Sequence, residues 1–165
     1  KPNYYIAPTN KDKHGKELWN HHKMVKRTMF NYDGVEGGKT GYTTKAGGTL
    51  VTFAKRGDQE LIVVDLCAHG YELYEDTIKM LNYGFNNYKT IAPFKTMNTV
   101  LKDDTYGFLK TGNELSPYKI PLKHLNDVTV MLEKNQSASK LTYKCKDNKY
   151  IISYDGKQIG SVKLH

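Results

Sequence analysis

Arginine is nearly missing from this 165-residue chain. Arg27 and Arg56 are the only two, so lysine carries almost all of the net charge of +8. Surfaces that read nucleic acid lean on arginine for bidentate contacts to bases and phosphates. The lysines here are spread along the whole length and form no stripe. No nucleic-acid partner is expected, and the charge reads as a solvated basic surface or as attraction to an anionic polymer. Long hydrophobic runs are also absent: none approaches the roughly 18–20 residues of a membrane helix, and no signal peptide is visible. Cysteine is scarce. Cys67 and Cys145 lie far apart and fit neither CxxC nor any zinc spacing. Each sits in a strand-like run, so buried free thiols are expected rather than a disulfide. The adjacent His21 and His22 point to opposite sides of a strand and about 100° apart on a helix, which is poor metal geometry. Neither a metal nor a cofactor is expected.

What the chain has in quantity is glycine, concentrated in Tyr32-Asp33-Gly34-Val35-Glu36-Gly37-Gly38-Lys39-Thr40-Gly41-Tyr42-Thr43-Thr44-Lys45-Ala46-Gly47-Gly48. Glycine at this density marks backbone that bends sharply or lies close against something. Lys39-Thr40-Gly41 offers a cation, a hydroxyl and an approachable backbone N–H in a row, groups suited to an anionic, carbonyl-bearing ligand.

At 165 residues the chain fits one domain or two small ones. It opens at Lys1-Pro2-Asn3 without an initiator Met, which suggests a fragment or a processed chain. Residues 1–18 read as loop with one extended piece around Tyr4–Ile6. Thr49–Lys55 and Glu60–Ala68 read as a hairpin across Arg56-Gly57-Asp58-Gln59, the second strand apolar enough to be buried on both faces. Tyr74, Ile78, Leu81 and Phe85 then fall at helical spacing from about Tyr71 to Tyr83. Glu72, Glu75 and Asp76 sit in the first turns, and Gly84 is placed to end the helix. This amphipathic helix covers the sheet. Asn86–Pro93 reads as a linker. Beyond it, short alternating runs (Met97–Leu101, Tyr106–Leu109, Tyr118–Leu122, Val128–Leu132, Lys140–Cys145, Tyr150–Tyr154, Gln158–Val162) predict a small all-β domain of six or seven strands, with Asp155-Gly156 as a two-residue hairpin turn.

The glycine-rich run resembles the third active-site motif of the serine-type D-alanyl-D-alanine carboxypeptidases, the low-molecular-mass penicillin-binding proteins. Lys-Thr-Gly, with a Ser-x-x-Lys and a Ser-x-Asn type motif, is the signature of that superfamily. The longer match, Asp33 to Thr43 followed by Ala46-Gly47, is far more specific than the triplet. Thr9-Asn10-Lys11 and Asn20-x-x-Lys23 upstream, with Phe53-Ala54-Lys55-Arg56-Gly57 and Leu81-Asn82-Tyr83-Gly84-Phe85 downstream, agree with it. The resemblance is close over residues 4–89 and less specific beyond.

It implies an α+β fold: an antiparallel sheet with a covering helix, part of a penicillin-binding, transpeptidase-like domain (residues 1–89), followed by a small all-β accessory domain (residues 90–165). It also implies an enzyme that trims peptidoglycan stem peptides through an acyl-serine intermediate. On the matching positions, Lys39 would supply positive charge and the backbone N–H of Tyr42 half of the oxyanion hole. Thr40 would bind the substrate's terminal carboxylate with Thr43 assisting, and Gly41 would let the substrate lie against the strand. The partners of the complete enzyme would be peptidoglycan stem peptides and β-lactams, and its place extracytoplasmic, at the cell envelope of a bacterium.

The chain departs from the family at the nucleophile. No serine precedes Lys39, and the first in the chain is Ser116. Ser137-Ala138-Ser139-Lys140 spells Ser-x-x-Lys but follows the motif and runs into a predicted strand, whereas the chemistry needs serine and lysine one helical turn apart. Lys110-Thr111-Gly112 repeats the triplet without its glycine-rich lead-in. The chain alone is therefore expected to be inactive, with an exposed apolar face and a free sheet edge that pair with the missing N-terminal part or a second copy. The alternative is a non-catalytic module that binds cell wall or a protein.

Overall fold

The computed structural model describes residues 3–25, 28–95, 99–101, 106–111, 114–115, 120–121, 128–147 and 149–163. The chain divides into two compact units, Lys1–Asn87 and Tyr88–His165.

In the first unit, β1 (Asn3–Ile6) pairs antiparallel with β2 (Lys16–Trp19), so the region expected to be mostly loop is a long-looped hairpin. Its second strand, Lys-Glu-Leu-Trp, is too short for alternation to reveal. A 3-10 turn at Lys23–Val25 follows. Then β3 (Val35–Thr43), β4 (Gly47–Arg56) and β5 (Gln59–Ala68) form an antiparallel sheet in the order β3-β4-β5. Thr43 closes the first turn by accepting the Ala46 N–H at 3.0 Å. Gly57, at φ 58°, makes the second. Helix α1 (Glu72–Asn87) lies over one face of this sheet. Leu73, Tyr74, Thr77, Leu81, Gly84 and Phe85 are buried on it, and Leu50, Ala54 and Val63 answer from the strands, with Met24 and Phe30 completing the core. Each large apolar side chain buried this way contributes about 1.5–3 kcal/mol.

Gly84 does not end the helix; α1 runs one turn further. A Cβ at Gly84 would stand 2.6 Å from Leu61 Cδ1, so its glycine lets helix and sheet approach closely. Position decides here, since a glycine at helical spacing reads the same whether it caps or packs. The lead-in to β3 is held by Arg56, whose guanidinium lies between the rings of Tyr32 (4.6 Å) and Phe85 (4.5 Å) while its Nε donates to the Asp33 carbonyl at 3.1 Å.

The opposite face of the sheet is bare among the described residues. Val51, Ile62, Val64 and Leu66 are 40%, 70%, 54% and 66% exposed. The expectation that β5 is buried on both faces is therefore overturned within this chain: α1 covers one face and nothing described covers the other. Cys67 departs from expectation as well, being a free and exposed thiol. It has a φ of 64° beside the register shift between Gly48 and Thr49, where the strand leaves its ladder.

The second unit begins without a linker. Residues 88–91 form β6 (Tyr88–Ile91), paired antiparallel with β11 (Val130–Glu133). The Asn-Asn-Tyr-Lys composition hides a strand whose partner lies some 40 residues away, a non-local pairing that local signals do not report. β7 (Thr99–Leu101), β8 (Tyr106–Thr111), β9 (Glu114–Leu115) and β10 (Ile120–Pro121) form a small sheet. β12 (Leu141–Lys146), β13 (Lys149–Tyr154) and β14 (Lys157–Lys163) form a meander. Asp155 and Gly156, at φ 49° and 79°, make the tight turn their sequence announces. Phe94, Val130, Leu132, Leu141, Tyr150 and Ile152 are this unit's buried core.

Candidate active-site strand

Every residue singled out in the glycine-rich run lies on or beside β3. Among the described residues this strand pairs with β4 alone, so its outer edge carries backbone groups with no strand to bond. A register shift between Val35 and Gly37 sets the alternation that follows. Gly38, Thr40 and Tyr42 stand opposite the buried Thr52, Leu50 and Gly48, while Lys39, Gly41 and Thr43 share the other face with the exposed Val51.

Thr40 and Tyr42 therefore face the helix side, where they and the backbone of Gly41 line a cavity of about 480 Å³ between the end of β3 and the start of α1. His21, His69 and Tyr71 also line it, and the Lys23 ammonium lies 4.1 Å from the Tyr71 ring centroid. Tyr42 is 75% exposed. Lys39 is exposed outside this cavity, its Nζ donating to the Thr40 carbonyl at 2.6 Å. Thr43 is also outside, its hydroxyl occupied by the turn.

The Ser-x-x-Lys match and the second Lys-Thr-Gly match stand apart from β3 in sequence and in local structure. Ser137 caps a 3-10 turn at Ala138–Lys140 by accepting the Ser139 N–H at 3.3 Å. Lys140 Nζ is held by Asp155 Oδ2 at 3.0 Å, so the Asp155 carboxylate and no serine hydroxyl is its partner. Lys110 and Thr111 lie on β8, and Gly112 falls outside the described residues. No group of three or more metal-ligating side chains stands together among the described residues. No helix among them is long and apolar enough to cross a membrane.

One residue behind the strand is not legible in the sequence. His22 is 1% exposed, and its Nε2 lies 2.9 Å from the hydroxyl of the fully buried Thr52. Burial, its largest influence, holds its pKa below the ordinary histidine value, with the backbone of Val51 and of His22 itself pulling the other way. Of the His-His pair, His21 lines the cavity and His22 enters the core.

No protein-family profile matches the chain. It is similar to the D-alanyl-D-alanine carboxypeptidase DacF of Bacillus subtilis, 29% identical over 154 residues that make up 90% of this chain and 37% of that protein. It is also similar to DacC of Escherichia coli, 35% identical over 77 residues, 46% of this chain and 18% of that one. Its fold superposes on penicillin binding protein 5 from Haemophilus influenzae with a TM-score of 0.60 at 22% identity, covering 99% of this chain and 47% of that structure. On the carboxypeptidase DacD from Francisella tularensis the TM-score is 0.53 at 18% identity, covering 94% and 40%. The chain thus spans less than half the length of each of these four proteins. The motif-based recognition holds: the relatives and structural neighbours of this chain are D-alanyl-D-alanine carboxypeptidases, the low-molecular-mass penicillin-binding proteins.

Proposed function

We propose that residues 1–89 are the C-terminal part of the catalytic domain of a serine-type D-alanyl-D-alanine carboxypeptidase, with residues 90–165 its accessory β domain. The observation that carries this is the placement of Lys39–Tyr42 on a strand that, among the described residues, is an edge strand and leaves its outer side open to a substrate backbone. Lys39 supplies positive charge, Thr40 binds the terminal carboxylate of the stem peptide, Thr43 assists once its hydroxyl leaves the turn it closes, and Gly41 keeps the edge clear. The Tyr42 N–H is one oxyanion donor. The substrate is the D-alanyl-D-alanine end of a peptidoglycan stem peptide, β-lactams are its mimics, and the setting is the cell envelope. The nucleophile belongs to a segment outside this sequence, because no serine stands ahead of Lys39.

Two measurements test this. Incubated with a labelled β-lactam, the chain should show no covalent adduct by intact mass, since losing a serine nucleophile costs on the order of 10⁶ in rate; an adduct on Ser137 or Ser139 would refute the assignment. Joined behind the segment of DacF that precedes its match, the chain should release D-alanine from a D-alanyl-D-alanine peptide. In that chimera Thr40→Val should raise KM more than it lowers kcat, and a folded but inert chimera would sink the proposal.

The bare face of Val51, Ile62, Val64 and Leu66 supports a companion reading: this chain is covered there by the missing part or by a second copy. Light scattering should report self-association, or an apolar dye should gain fluorescence on the monomer. A sharp, dye-free monomer peak would contradict the expectation.

A further inference from the structure

The Lys-Thr-Gly strand rests on one imidazole. Gly38, the residue before Lys39, lies against His22: a Cβ built on Gly38 would stand 2.6 Å from both Cδ2 and Nε2 of the ring, and it would also overlap the Val51 carbonyl oxygen. Gly38 is the register partner of Thr52 on β4, and Thr52 is the residue whose hydroxyl meets His22 Nε2 at 2.9 Å. From α1, the Tyr74 ring meets the imidazole edge-to-face at 6.2 Å and 80°. Below, the His22 N–H donates to Asn20 Oδ1 at 2.9 Å, which fixes the backbone that carries the ring. The imidazole thus touches β3, β4 and α1 at once.

We propose that His22 is the positioning residue of this active-site strand: clamped to β4 through Thr52, its ring is the seat that sets where β3 stands at Gly38 and hence where Lys39 to Tyr42 present themselves. It touches none of the groups assigned to substrate and acts through Gly38. The size of the seat matters because reacting groups tolerate little displacement; a misplacement of about 1 Å can cost about 10²-fold in rate. The chemistry matters as well. Thr52 is fully buried, so a side chain that fills the space without a polar atom leaves its hydroxyl unpaired. Glutamine reaches about as far as Nε2 and keeps a partner for Thr52, whereas alanine keeps neither shape nor partner.

The groups facing the ring are the Gly38 backbone from β3, the Thr52 hydroxyl and the Val51 backbone from β4 and the Tyr74 ring from α1, and the Tyr74 phenol is the titratable one among them. Protonating the imidazole adds a charge to a site with no carboxylate in these contacts. Acid below the ordinary histidine pKa therefore works against the seated arrangement.

The test uses the full chain. In His22→Ala, backbone amide resonances from Gly38 to Tyr42 should shift and their hydrogen exchange quicken by about tenfold or more, with Leu81 and Phe85 of α1 little changed, while His22→Gln should restore wild-type behaviour. Acidifying the wild type from about pH 7 to about pH 5 should move the same β3 amides, and His22→Gln should remove that dependence. If His22→Ala does not fold, Thr52→Val gives the same readout. Equal loosening of β3 and α1, or β3 amides indifferent to variant and pH, would overturn the proposal. The catalytic consequence rests on the carboxypeptidase reading: in the DacF chimera, His22→Ala should lower kcat/KM by about 10²-fold and His22→Gln should recover it. An inert chimera refutes that reading, while the amide measurements on the chain still decide the role of His22.

Discussion

Tyr42→Pro in the chimera is expected to lower kcat/KM for D-alanine release by about 10²–10³-fold, whereas Tyr42→Ala should leave it within about threefold. The contrast follows from where the two parts of Tyr42 lie. The residue is 75% exposed beside the cavity it lines, so truncating its side chain removes little buried surface. Its N–H is the group assigned to the developing oxyanion, and proline deletes that donor. A donor aimed at charge that develops only in the transition state acts mainly on kcat. An edge strand tolerates proline where the lost N–H pointed away from the sheet, and β3 is an edge strand among the described residues. Circular dichroism and urea midpoints of both variants complete the measurement. A folded Tyr42→Pro with an unchanged rate removes the N–H from the mechanism. An alanine variant as slow as the proline variant transfers the effect to the ring.

The parts of this molecule legible in its sequence are those whose determinants are local. The β4–β5 hairpin and α1 announce themselves through alternation, a turn glycine and a 3.6-residue period, and the Asp155-Gly156 turn through its two residues with φ above zero. The parts that were not legible depend on what lies across from them. β6 is a strand because β11 pairs with it. Gly84 sits inside the last turn of α1 because Leu61 needs the room. β5 carries an apolar outer face because apolarity records what a strand can bury, and the exposure of Ile62 and Leu66 records what this chain supplies to cover it. The same division runs through the site. Lys39, Thr40, Gly41 and Tyr42 follow one another in sequence, so their shared strand is legible there. His22 reaches the strand through space, 16 positions upstream of Gly38, and the doublet His21-His22 carries no sign of which ring goes inward.

That cross-chain contact makes Gly38→Ala the substitution with the largest expected cost to stability, about 2–4 kcal/mol. An added Cβ meets the Val51 carbonyl oxygen and the His22 ring together. Neither yields cheaply: the carbonyl belongs to the β3–β4 ladder, and the ring is wedged between Thr52 and Tyr74. Overpacking of this kind costs about 1–3 kcal/mol, and losing the His22–Thr52 bond adds about 1 kcal/mol more. Gly37→Ala is the matched control. A Cβ there meets nothing within 4 Å, and the change should fall within about 0.5 kcal/mol of wild type. Urea unfolding of the three proteins at a common m-value separates the outcomes. A Gly38→Ala midpoint level with that of Gly37→Ala would mean that β3 gives way without cost, and a strand that gives way cannot be held in register by the residue beneath it. A large loss confined to Gly38→Ala, together with displaced Lys39 and Tyr42 amides in whatever fraction remains folded, ties the stability of the sheet and the placement of its Lys-Thr-Gly edge to the same contact.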